Sequence, residues 1–120
     1  MKKSILKERS FSFSLIVISF CKELRKREKE YILTNQLELS ATAIGALIRE
    51  AEYGQSRRDF ISKMSIALKE ANETGYWLDL LESSGYMESE KYKDLSDILK
   101  QLVKMLASSI ITAKQNLNCE

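Results

Sequence analysis

Proline is absent from all 120 residues and glycine occurs only four times, so the chain lacks most of the residues that turn strands or break helices. Between those few stops, apolar residues recur every three or four positions over stretches of about twenty residues, the repeat of a helix face rather than of a strand. Leu, Ile, Lys, Glu, Ala and Ser dominate the composition, and as a set they favour helix. The chain reads as all-α. It forms one domain over residues 1–120, long enough to bury one core and too short for a second.

The opening MKKSILKERSFSFSLIVISFCKELRK imitates a secretory or lipoprotein signal, with a basic start, an apolar run and a cysteine. Bulky Phe20 stands directly before Cys21, where such cleavage sites take a small residue, and Ser12, Ser14 and Ser19 break the run. The run is also far shorter than the roughly twenty apolar residues a membrane span needs. At helical spacing Phe13, Ile16, Val17, Phe20 and Leu24 make one stripe, so the segment is read as the first amphipathic helix of a cytoplasmic protein, with no membrane partner.

A second stripe, Leu33, Leu37, Ser40, Ala41, Ile44, Ile48 and Ala51, predicts a helix from about Lys29 to Tyr53, with Gly54 at its C-cap. Ser56 is an N-cap, with Asp59 in the first turn of a third helix carrying Phe60, Met64, Ala67, Leu68, Ala71, Leu78 and Leu81, which Gly85 ends. Ser89 is placed to cap a fourth, whose stripe is Leu95, Ile98, Leu99, Leu102, Leu106, Ser109, Ile110, Ala113 and Leu117. Helices of this length, joined by connections of a few residues, must run antiparallel to their neighbours. The fold expected is an antiparallel up-down-up-down four-helix bundle, and mid-helix Gly45 is expected to mark a close helix approach.

Histidine is missing altogether, which excludes Ser-His and Cys-His nucleophile pairs and every histidine-containing metal site. Cys21 and Cys119 lie far apart without CxxC spacing, and two free thiols in a reducing compartment explain them. Glu50, Glu70 and Glu73 beside Arg49 raise the possibility of paired carboxylates working on a proton or a metal. A hairpin turning near Gln55 instead sets Glu70 near Ser40 and Glu73 near Gln36 and Leu37. Ser40, Glu50, Glu70 and Glu73 therefore read as a structural polar layer that fixes register. No nucleophile, base or phosphate loop stands beside them, so no enzyme, metal, cofactor or small-molecule substrate is expected. Tyr76 and Trp77 read as packing residues first and as a stacking platform second.

Charge offers a different function. Lys22, Arg25, Lys26, Arg27 and Lys29 cluster at the end of the first helix, with Glu23, Glu28 and Glu30 interleaved, and Arg57 and Arg58 open the third. Such patches bind nucleic acid through phosphates, and the positive end of the third helix would assist the second one. Residues 1–30 carry nine bases and four acids, whereas Glu70 to Glu90 holds six acids and no base. Leu15, Ile18, Val103, Met105 and Ile111 lie off the main stripes. Surplus apolar faces and opposed charges both suit self-association. The alternatives are a bundle that docks on nucleic acid and an assembly module that binds only protein.

The stretch SATAIGALIREAEYGQSRRDFISKMSIALKEANETGYWLDLLESSGY, with Ser40, Ile44, Gly45, Glu50, Ala51, Ser56, Phe60, Ala67, Leu68 and Glu73, resembles the central signature of the bacterial 23S rRNA intervening-sequence protein family. The resemblance is strongest from Gln36 to Tyr86, and it departs at Leu47, where many members carry Asn. It implies an antiparallel four-helix bundle, a homopentamer, no enzyme activity and an association with RNA. It transfers no individual basic residue, so Lys22, Arg25, Lys26, Arg27, Lys29, Arg57 and Arg58 rest on charge alone.

Overall fold

A computed structural model describes residues 4–118 and contains four helices, α1 (Ile5–Glu28), α2 (Ile32–Glu52), α3 (Arg57–Ser83) and α4 (Ser89–Asn118). No strand occurs among the described residues. Each helix packs on the next and α1 also packs on α4, which closes a four-helix bundle 53 Å long. Contacts between consecutive helices run in opposite numerical order. Ser14 meets Ala41 where Arg25 meets Glu38, Glu50 meets Lys63 where Ser40 meets Thr74, and Asp79 meets Tyr92 where Gly75 faces Leu99. Neighbours are therefore antiparallel. One end of the bundle holds the α1–α2 and α3–α4 connections; the other holds the α2–α3 turn with the start of α1 and the finish of α4.

The core follows the apolar stripes. Phe13, Val17 and Leu24 of α1, Leu37, Ile44 and Ile48 of α2, Met64, Leu78 and Leu81 of α3, and Leu95, Leu102 and Leu106 of α4 are all at most 2% exposed. Ile16, Phe20, Leu33, Phe60 and Leu68 pack against this core while remaining partly accessible, as do Val103 and Met105. Of the five residues expected off the main stripes, Leu15 and Ile111 are more than half exposed and Ile18 is half-buried.

Three local devices set the boundaries. Lys29 adopts a left-handed conformation, φ 57°, and its N–H donates to Arg25 O, which stops α1. The Glu30 carboxylate then accepts from the N–H groups of Ile32, Leu33 and Thr34, each at 2.9 Å, so α2 starts at Ile32 rather than near Lys29. Ser56 Oγ accepts from Asp59 N–H and begins α3 as expected. At its far end Gly85, φ 88°, donates to Glu82 O while Tyr86 N–H reaches back to Leu81 O, a Schellman closure that favours glycine. Ser89 is the first residue of α4, and its hydroxyl donates to the Glu82 carboxylate.

The expected polar layer is corrected. Ser40 is buried, but its partner across α2–α3 is Thr74, with the hydroxyl oxygens 3.0 Å apart. Thr74 Oγ1 also donates to Glu70 O at 2.8 Å, so Glu70 takes part through its backbone. Glu73 is exposed, and Glu50 reaches outward to Lys63 at 4.0 Å. The reason is register: the hairpin pivots at the first residues of α3 rather than at Gln55, which shifts the facing position by one helical turn. Gly45 does mark a close approach, since a Cβ there would lie 3.4 Å from Ser10 Oγ on α1.

Candidate nucleic-acid interface

The two basic clusters predicted from sequence lie at opposite ends of the bundle. At the end with two connections, Arg25 is committed inward. Its Nε donates to Thr34 Oγ1 (3.2 Å), Nη1 to Glu38 Oε1 (3.0 Å) and Nη2 to Asn35 Oδ1 (2.8 Å), so the guanidinium clasps α1 to α2. Arg27 pairs with Glu23 at 3.1 Å and with Glu28 at 3.7 Å. That leaves exposed Lys22 and Lys26 on α1 and Lys29 at its cap. Acids Glu82, Glu88 and Glu90 stand at the same end, around the α3–α4 connection.

Cys21 is buried in this region, and its thiol donates to Thr34 O at 3.6 Å. Burial pushes its pKa up to about 12, against the lowering effect of nearby Arg25. The thiol is structural. Cys119 lies outside the described residues.

The other end is built differently. Arg57 and Arg58 are exposed at the first turn of α3, where the helix dipole is positive. At that end Lys7 stands 5.8 Å over the Tyr53 ring and Arg49 lies 5.5 Å over Phe11, both cations held against aromatic faces. Arg57 and Phe60 also line an open hollow of about 490 Å³ whose opposite wall is α4, contributing Ser108, Ser109, Thr112, Ala113 and Asn116. Ser108, Thr112 and Asn116 recur every four residues and so form one polar row beside the arginine. Hydroxyl, amide and guanidinium groups together make the donor set that contacts phosphate and sugar oxygens.

The row was legible as an i, i+4, i+8 spacing; nothing in the sequence tied it to Arg57, because only the closing of α4 against the start of α3 brings the two together. Tyr76 is 56% exposed, with its ring edge-on to Trp77 at 5.0 Å, while Trp77 packs on the core. No three His, Cys, Asp or Glu side chains converge to hold a metal ion among the described residues.

The family model described as 23S rRNA-intervening sequence protein matches residues 2–108, which includes the whole bundle up to the last turns of α4. The chain belongs to the 23S rRNA-intervening sequence protein family. Its fold is shared by a crystal structure from Bacteroides thetaiotaomicron, described as a protein of unknown function from the S23 ribosomal protein family. The two are 43% identical with a TM-score of 0.87, covering 88% of this chain and 98% of that one. No curated protein is a significant match. Membership of the 23S rRNA-intervening sequence protein family fixes the architecture and assigns no chemistry to either end of the bundle.

Proposed function

We propose that the protein is a non-enzymatic, self-associating bundle that docks on RNA by phosphate contacts at the α2–α3 turn end. The observation that carries this is the hollow shared by Arg57, Phe60 and the Ser108–Thr112–Asn116 row, next to exposed Arg58. A net charge of +2 per chain favours weak binding by one copy. Repetition around an oligomer, a homopentamer on the family resemblance, multiplies it through avidity. The family's description supports RNA as the nucleic acid. The same reading places the protein in the cytoplasm; no helix among the described residues is long and apolar enough to cross a membrane.

The test is fluorescence anisotropy with a labelled structured RNA across a salt series. Arg57→Glu with Arg58→Glu is expected to weaken binding about tenfold or more and to flatten the salt dependence. Unchanged affinity rejects the assignment. A second reading, an assembly module that binds only protein, draws on exposed Phe11, Leu15, Leu39 and Tyr53 along α1 and α2. It requires partner binding that barely responds to salt.

A further inference from the structure

Two glycines sit in mid-helix, and they differ in what surrounds them. Gly45 is explained by Ser10, whereas a Cβ on Gly75 would meet only Leu99 Cδ2, at an ordinary 3.6 Å. Nothing in the chain requires glycine at 75. It lies in a groove of about 640 Å³ between α3 and α4, lined along its length by Ala71, Gly75, Leu99 and Val103. Asp79 marks one end, bonded to Tyr92 at 2.6 Å, and Glu82 follows one turn along α3. Lys100 and Lys104 rim the other half.

The outward face of α1 is the counterpart. Phe11 and Leu15 are more than half exposed, Ile18 is half-buried, and Lys22 and Lys26 continue the stripe. Neither lysine has an ion-pair partner among the described residues.

We infer that the α3–α4 groove receives α1 of a second copy, with Ile18 over Gly75, Lys22 against Asp79 and Lys26 against Glu82. This rests on the reading of the protein as self-associating and names the surfaces that associate. The spacings agree: Lys22 and Asp79 each lie one helical turn beyond Ile18 and Gly75, and Lys26 and Glu82 lie about two turns beyond. Charge sets the direction. With α1 reversed, its lysines would face Lys100 and Lys104; in the inferred direction those two rim the part that takes Leu15 and Phe11, covering apolar surface with their stems. The contact is heterologous, groove to helix, so every copy retains one of each and the assembly grows to a ring if the rotation closes. The hollow of Arg57, Phe60 and the Ser108–Thr112–Asn116 row shares no residue with it.

The test is sedimentation velocity of the full chain over a concentration series, with circular dichroism to confirm folding. Lys22→Glu with Lys26→Glu, and separately Asp79→Lys with Glu82→Lys, are each expected to weaken assembly about tenfold or more. All four changes in one chain are expected to restore it. Gly75→Leu, which fills the groove, is expected to dissociate the assembly while leaving helicity intact. A wild-type oligomer indifferent to either pair, or a quadruple variant that fails to reassemble, overturns the inferred contact and leaves self-association standing. A wild-type chain that stays monomeric throughout overturns both.

Discussion

The α1–α2 seam and the α3–α4 seam are built from the same kind of antiparallel helix pair, yet one is closed and the other open. Across α1–α2, Arg25 makes three bonds, Cys21 and Ser14 donate to carbonyls of α2, and Gly45 lets the backbones close on Ser10. Across α3–α4, the Tyr92–Asp79 bond stands at one end of a groove in which Gly75 lies. The difference teaches that a mid-helix glycine has no fixed meaning. At 45 it serves the chain's own packing, and at 75 it serves a surface.

The sharpest way to break the comparison is to put the same side chain at both glycines. Gly45→Leu forces α1 from α2 and is expected to destabilise by about 2–3 kcal/mol, the scale of overpacking a core. Gly75→Leu is expected to leave the dissociated chain as stable or up to about 1 kcal/mol more stable, since it replaces a poor helix former where there is room. Urea unfolding monitored by circular dichroism reads both; equal losses would dissolve the distinction.

Next in size is Arg25→Ala, which strips three acceptors of their donor and leaves Glu38 half-buried without a counter-charge. A loss of about 1.5–2 kcal/mol is expected. A loss near zero in the same assay would mean that the clasp is only surface decoration.

The smallest effect belongs to the α2–α3 seam between them. Burial and then neighbouring Glu73 raise the pKa of Glu70 above its ordinary value. A carboxyl with a raised folded pKa opposes folding once ionised, so stability is lost as pH rises through that value and recovered as it falls. Glu70→Gln is expected to raise the melting temperature by about a degree at pH 7, with the gain disappearing below about pH 4. A gain that persists at low pH would point to a cause other than charge.

Much of the fold was legible because helix faces announce themselves in spacing: the stripes of α2 and α4 are the core, nearly residue for residue. Register was not legible. Whether Gln55 or the first turn of α3 acts as the pivot depends on how the two helices pack and not on the Ser56 cap, and that one-turn shift exchanged Glu70 for Thr74 as the partner of Ser40. The start of α2 was hidden for a related reason, since a lone lysine does not advertise a left-handed conformation and Glu30 caps from outside the helix. Of the candidate site, the Arg57–Arg58 pair was visible as charge. That Arg25 clasps α1 to α2 was invisible, because its three partners lie on the next helix.

The order of contacts around the bundle also sets how the chain folds. Three of the four seams join helices consecutive in sequence, and only α1 with α4 closes over a long separation. Each hairpin can therefore form soon after its second helix exists, with little loop entropy to overcome, the condition that favours fast folding. During synthesis α1 and α2 would already be clasped through Arg25 before α4 has been made, leaving the last helix to complete a three-helix platform rather than to start a fold.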